Sequence, residues 1–402
     1  MATIKRSTRT APAAPAAAAS GARKRSKSVK DVPQSNELRA TLDALRKAMG
    51  DGTIIRANQV RPPFRIPTGV FEIDLALLGG IPKGRMTMAH GQKHSGKTTL
   101  ADRITMGYQQ TTNSEDEVAV KIDAEGTHDP VWAGKTGVDP DRLLVVQPDS
   151  GEQAVDAAVA LAHTKEVGLI IIDSLAALMP MKELEADADK DLVAVQSKLI
   201  TRALRKLTQA QITERKRGHT VTIFLINQQR TKIGGYAPNG IEPVSLPGGK
   251  ALGHFTSVEL RLTNKENVGK DSEGFDSLTH NDHAFRVEKN KLNGGMRTGE
   301  FRLIRTDGHV PGLTEGEIDD APVMLSRAKA LGWYTGGGGK FTLSFGDYEL
   351  KGGSAASMAE QLYEDRETLW ALRCHLIAQW ASKQGMPDWY VNYILTGEET
   401  YD

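Results

Sequence analysis

The octet GQKHSGKT, Gly91 to Thr98, matches the pattern G-x-x-x-x-G-K-T. A segment built from Gly91, Gln92, Lys93, His94, Ser95, Gly96, Lys97, Thr98 and Thr99 can curl its backbone N–H groups around phosphate oxygens. Lys97 can reach the outer phosphates, and the Thr98 hydroxyl can hold Mg2+. A second stretch, VGLIIIDS, carries an apolar run from Leu169 to Ile172, as a strand buried on both faces would. Asp173 closes that run and can orient a metal-bound water. Phosphoryl chemistry also needs a group that positions water. VKIDAEGTHDP offers Asp123, Glu125 and Asp129. Glu125 falls just past a strand end, and spacing alone leaves a catalytic base and a solvated loop acid equally open. FLINQQRTKIGGY, Phe224 to Tyr236, is stranger: a buried-strand pattern delivers glutamines to its tip and breaks at once into a basic, glycine-bearing segment. In HAFRVEKNKLN, Lys289 and Lys291 fall on one side of a strand, as alternate residues do. They read either as a pair of cations aimed at one target or as exposed lysines on an edge strand.

These residues need a scaffold that brings strand ends together. From about Pro67 to about Thr306, strand-like runs (RMTMAHG, VAVKIDAE, LLVVQPD, GLIIIDS, VTIFLINQQ) alternate with helical stretches. The longest of the latter is LVAVQSKLITRALRKLTQAQI. That alternation predicts an α/β fold, a mostly parallel sheet with helices on both faces. SVELRLT, HAFRVEKNK and GEFRLIR have no helices between them and suggest an antiparallel extension. Ahead of this core, Ser35 or Asn36 can cap a helix striped by Leu38, Leu42, Leu45 and Met49. TIIR follows as a lone strand that needs a sheet edge to join, here or on another chain. After about Gly308 come helices, a glycine-rich hairpin around TGGGGKFTLSFGD and an amphipathic close, read as a small C-terminal domain.

Of 402 residues, 39% are apolar and 25% charged, an ordinary globular balance, and no apolar run approaches the roughly 20 residues of a membrane span. One cysteine, Cys374, excludes an internal disulfide and fits a reducing compartment. The net charge of +1 hides an asymmetry: residues 1–33 hold eight Lys/Arg against Asp31, which leaves the remainder at −6. The body is therefore no general nucleic-acid binder, and any such surface is local. The first 33 residues are low in complexity and read as a disordered tail. Its role stays open between an electrostatic arm for nucleic acid, a solubilising tail and a transit peptide.

Taken in order, GDGTIIR, PTGVFEIDLALLGGIPKGR, GQKHSGKTT, KIDAEGTHDPVWAGKTGVDPDRLLVVQPDSGEQA, IIIDSLAALMP, FLINQQRTKIG, PGGKAL and EKNK carry a family. From about Glu37 into the C-terminal part, the chain resembles the bacterial RecA-type recombinases, with departures similar to those of phage-encoded members. The resemblance implies a RecA-like P-loop ATPase core with a mostly parallel central sheet. It implies a division into a basic tail (1–33), a polymerisation helix and strand (34–66), an ATPase and DNA-binding core (67–308) and a small α+β C-terminal domain (309–402).

The same resemblance implies roles for single residues. Glu125 falls on the catalytic glutamate, and Gln228 on the sensor of the terminal phosphate. Asp129 and Trp132 fall where the family holds adenine, with Trp132 in place of the usual tyrosine, which favours ATP. Lys289 and Lys291 fall on a pair that reaches the neighbouring subunit's phosphate, as an arginine finger does. The segment from Gln229 to Lys250 corresponds to the second DNA-binding loop. There Arg230, Lys232 and Lys250 can contact phosphates, Gly248 and Gly249 can offer N–H groups, and Ile233 can wedge between bases. The first DNA-binding loop would lie at about Glu183 to Val195, but KELEADADKDLVAVQ is acidic and glycine-free, so only the helix after it, with Lys198, Thr201 and Arg205 on one face, is a candidate.

The implied activity is ATP-dependent homologous recombination. Subunits would assemble head to tail into a helical filament on single-stranded DNA, pair with homologous duplex and hydrolyse ATP with Mg2+. Single-strand-binding and loader proteins are candidate accessory partners, and the cytoplasm of a bacterium or a phage-infected cell is the expected location. The rival readings are a ring-forming helicase on the same fold and a regulatory DNA-binding protein with a relic ATP site.

Overall fold

The computed structural model describes residues 35–50, 54, 57, 60–112, 116–181, 192–231, 244–270, 276–292 and 297–399. The basic tail, the TIIR strand candidate apart from Ile54, most of the acidic first loop, and Lys232 with Ile233 lie outside the described residues. The chain divides into two compact units, residues 1–62 and 63–402. Within the first, the helix Asn36–Met49 begins at Ser35, whose hydroxyl accepts from the Leu38 N–H at 3.1 Å. No residue of this helix is buried; Leu38, Leu45 and Met49 stand exposed along it.

The second unit is organised by an eight-stranded sheet. Its order is Thr298–Ile304, Asp276–Asn290, Val258–Lys270, Met86–Gly91, Thr222–Gln228, Val167–Asp173, Val118–Asp123, Leu143–Val146. Every pairing from Val258–Lys270 through to Leu143–Val146 is parallel, and the two at the other edge are antiparallel. The mostly parallel α/β reading holds, with one correction. Val258–Lys270 runs parallel to Met86–Gly91, so the antiparallel extension starts one strand later than the missing helices suggested. The long connection from Gln229 to Ser257 returns the chain to the same end of the sheet, which a hairpin could not do.

The apolar run of each inner strand sorts by parity onto two faces. Ala89, Ala119, Leu169, Ile171, Phe224 and Ile226 pack on the face covered by the helix Lys97–Thr111. Met88, Val120, Ile170, Ile172, Ile223 and Leu225 pack on the other, under the helices Gly151–Ala162 and Leu192–Lys216. Both faces being buried is why these strands read as continuous rather than alternating apolar runs.

A third apolar cluster joins Phe71, Leu75 and Leu78 to residues from Ile304 to Ile394. It packs helices Ala321–Ala330, Ala355–Glu364, Arg366–Lys383 and Asp388–Thr396 around a small sheet. That sheet has three strands, Tyr334–Gly337, Lys340–Phe345 and Tyr348–Gly352, where the sequence suggested a hairpin. Arg373, buried at 7% side-chain exposure, pairs with Asp74 and, at 3.1 Å, with Asp320. Asp320 in turn accepts the Phe71 N–H at 2.8 Å. Cys374 is buried beside it, and burial pushes its thiol up to about 11, as suits an inert core position.

Candidate functional site

Gly91, Asp123, Asp173 and Gln228 are the last residues of four parallel strands, and the strand parities put them on one face. Ligands in open α/β sheets bind outside such carboxyl ends. Between them the chain turns from Gly91 into the helix Lys97–Thr111. The turn is tight enough to require its glycines. A Cβ at Gly91 would sit 2.4 Å from Leu262 O and 2.5 Å from Ser95 Oγ, and Gly96 is left-handed at φ 83° with the His283 ring 2.6 Å from its Cβ position. The N-terminal N–H groups of the helix and its dipole thus face an open concavity, a ready anion site.

Lys97 leans back over this loop, donating to Gln92 O at 2.6 Å and Ser95 Oγ at 3.3 Å. Burial lowers its pKa, against the pull of Asp173 and Glu125. Thr98 Oγ1 donates to Asp173 Oδ2 at 3.1 Å. A hydroxyl and a carboxylate so paired fit a magnesium ion that keeps several waters and takes its other ligands from phosphate. Gln92, Lys93 and His94 are exposed, and Thr99 accepts the Trp132 indole N–H at 3.4 Å.

Beneath Asp173 lies a group that sequence reasoning missed. Lys121 Nζ is 3.4 Å from Asp173 Oδ2 and 3.7 Å from Asp102 Oδ1, with all three side chains at 4% exposure or less. Burial pushes Asp102 up to about 6, and raises Asp173 as well, with Lys121 opposing both. The signal was present: Lys121 interrupts VAVKID on the face that the helix Lys97–Thr111 covers.

Glu125 is exposed, two residues past its strand. Its Oε1 accepts from Ser174 Oγ at 2.6 Å and from Gln228 Nε2 at 2.7 Å. Asp123 anchors the loop between, accepting from the N–H groups of Thr127 and His128 at 3.2 and 2.9 Å. Burial works against its charge, but these bonds hold its carboxyl below the usual range. Asp129 caps the helix Pro130–Lys135 through the N–H groups of Val131 and Trp132. The Trp132 ring is covered by the Arg305 guanidinium, 4.1 Å from its centroid. Arg305 also lines the cleft over Ser95 to Thr99, together with Asn281 and His283. Nothing in its local sequence marked Arg305; only the sheet order brings it there.

The segment after Gln228 is anchored at both ends. Arg230 and Thr231 pair antiparallel with Ser245 and Val244. Asn227 Nδ2 donates to Pro247 O at 3.0 Å. Gly248 and Gly249 are left-handed, at φ 89° and 58°; Gly249 is exposed, while a Cβ at Gly248 would strike Ile200. The side chains of Arg230 and Lys250 are not described. On the helix Leu192–Lys216, Lys198 and Arg205 are exposed, and Thr201 returns its hydroxyl to Ser197 O.

Lys289 and Lys291 do share a side. Lys289 donates to Gly253 O and, at 3.0 Å, to Thr256 Oγ1; Lys291 donates to His254 O at 2.9 Å. They are not brought to the phosphate loop of their own chain. Lys291 lies level with Ser257, and Ser257 with Met86, the start of the strand whose far end opens the loop.

A phosphate loop at a helix start, a strand-end carboxylate on its hydroxyl and a glutamate facing the site define a P-loop nucleoside triphosphatase. The particular family follows from comparison with known proteins. Residues 36–310 match the RecA N-terminal domain family. The Protein RecA of Methylococcus capsulatus is 38% identical over 313 residues, 77% of this chain and 85% of that one. Those of Frankia alni and Xylella fastidiosa are 38% and 36% identical over 298 and 312 residues, covering 73% and 77% of this chain and 81% and 85% of theirs. The chain belongs to the RecA family. It is an ATP- and Mg2+-dependent recombinase and DNA-dependent ATPase that forms filaments on single-stranded DNA and engages duplex DNA. Among the described residues no helix is long and apolar enough to cross a membrane.

Proposed function

We propose that this recombinase couples its nucleotide state to DNA through Glu125 and Gln228. The observation that carries the reading is their hydrogen bond, 2.7 Å, at the root of the segment Gln229 to Lys250. Gly91 to Thr99 cradle the phosphates of ATP, Lys97 neutralises the outer ones, and Asp129 with Trp132 holds the base. Thr98 and Asp173 would hold Mg2+, which when bound would supply charge neutralisation at the phosphates. Glu125 orients the attacking water. A terminal phosphate competes with Glu125 for the Gln228 amide, so the position of Gln228 reports the nucleotide. Arg230, Lys232, Ile233, Gly248, Gly249 and Lys250 contact single-stranded DNA, and Arg205 extends that surface. Loss of the phosphate changes the root of this segment and releases DNA, an order–disorder switch of known kind.

Lys289 and Lys291 serve the ATP of the neighbouring subunit; their placement away from their own phosphate loop supports this. The helix Asn36–Met49, with exposed Leu38, Leu45 and Met49, packs on a neighbour in the filament. Residues 309–402 act as a separate functional domain, and the protein works in the cytoplasm of a phage-infected bacterium. Electron microscopy with ATP and single-stranded DNA tests the assembly: helical filaments support this reading, and closed rings would replace it with a helicase.

A further inference from the structure

The same segment is gripped a second time, on the other face of the sheet. Gln229 donates its backbone N–H to Gly91 O at 3.1 Å, and its side-chain amide lies 2.9 Å from His90 Nδ1. His90 is 2% exposed and shares strand parity with Met86 and Met88, opposite the nucleotide face. Its Nε2 lies 3.1 Å from Glu288 Oε2. One tautomer satisfies both contacts: Nε2–H donates to the carboxylate, and Nδ1 accepts from Gln229. The hydrogen bond from His90 holds Glu288 below the usual carboxylate range.

Glu288 follows Val287, which packs with Leu260 on the opposite face, so alternation puts Glu288 on the His90 face, next to a bulge. Glu259 pairs with Lys289 and Leu260 with Val287, so Glu288 is an extra residue on its strand. Bulges re-aim side chains. Here Glu288 and Lys289 together oppose Glu259, and the Glu288 carboxylate reaches across the strand Val258–Lys270 to the strand that opens the phosphate loop.

We propose that His90 is a positioning residue that fixes Gln229, and thereby the root of the DNA-binding segment, to the phosphate-loop strand and to the strand carrying Lys289 and Lys291. Gln228 reads the nucleotide on one face while Gln229, one residue on, is clamped on the other, so motion of the first becomes rotation about the second. The inference rests on the reading of Gln228 as the nucleotide sensor.

The test uses the full chain, with His90→Phe to remove both hydrogen bonds at similar volume. His90→Gln is the rescue, because its amide can accept from Gln229 and donate to Glu288. Gln228→Ala reports on the underlying reading. ATP hydrolysis is measured with and without single-stranded poly-dT. The expected result is that His90→Phe cuts the stimulation by DNA about fivefold or more. Its rate without DNA and its KM for ATP stay within about twofold of the parent. His90→Gln is expected to keep most of the stimulation. If His90→Phe is stimulated like the parent while Gln228→Ala is not, the clamp is wrong and the sensor stands. Equal loss of basal and stimulated rates in His90→Phe marks a merely structural histidine and also overturns the proposal. If Gln228→Ala is stimulated normally, the underlying reading fails and the clamp falls with it.

Discussion

Gln228 donates its side-chain amide to Glu125 Oε1 at 2.7 Å, so the residue at the root of the segment Gln229 to Lys250 touches the proposed catalytic acid. Ser174 holds the same oxygen at 2.6 Å. Two donors on one oxygen fix the direction of the Glu125 carboxylate. Glu125→Gln is expected to lower ATP hydrolysis by about a hundredfold or more, the usual range for losing a group that handles the water proton. Nucleotide binding, read by a fluorescent ATP analogue, should remain, because Glu125 is not part of the phosphate cradle.

Lys289 and Lys291 face away from their own phosphate loop, and this has a consequence that mixing can reveal. A variant with both lysines changed to alanine should be inactive, and so should Glu125→Gln. A mixed assembly of the two is expected to recover activity, because Glu125 from one kind meets lysines from the other at about a quarter of randomly formed head-to-tail interfaces. No recovery on mixing would place the lysines in their own subunit's chemistry or in none.

Arg373 lies between Asp74 and Asp320, with all three side chains at 9% exposure or less. Arg373→Met should cost about 3 to 5 kcal/mol, because two buried carboxylates lose the cation that pairs with both. Chemical denaturation with a two-state fit measures it. The loss should be partly relieved in a triple variant that adds Asp74→Asn and Asp320→Asn.

Asp102 titrates at about 6 when folded, against an ordinary value of 3.8. Between these values the folded state binds more protons than the unfolded one, so this group's contribution to stability falls as pH rises. The penalty is absent below about pH 4 and complete above about pH 6 to 7. Asp102→Asn does not titrate there. Its stability relative to the parent is therefore expected to improve by about 1 kcal/mol between pH 5 and 7, read by denaturant midpoints at several pH values.

Much of this site was legible because its chemistry is local in sequence. The phosphate loop, Asp173 and the amide pair at Gln228 each sit at the end of an apolar run, and a parallel sheet necessarily brings such ends together. Gly96 was legible as part of a tight phosphate-binding turn, and it is left-handed. Lys121, Asp102 and Arg305 were not, for two reasons. Lys121 and Asp102 are charges inside apolar patterns, which periodicity treats as noise, and their approach to each other and of Lys121 to Asp173 explains them. Arg305 reaches Trp132 through sheet order, which spacing along the chain does not encode. The parallel course of Val258–Lys270 was missed because a long connection can return a strand in either direction, and no crossover helix advertised which.

The central claim is that ATP hydrolysis and DNA binding communicate through Gln228. Steady-state hydrolysis by the full chain, with and without single-stranded DNA, tests it most directly when Gln228→Ala is run beside the parent. The expected result is strong stimulation of the parent by DNA and none of the variant. Stimulation of both, or of neither, would contradict it.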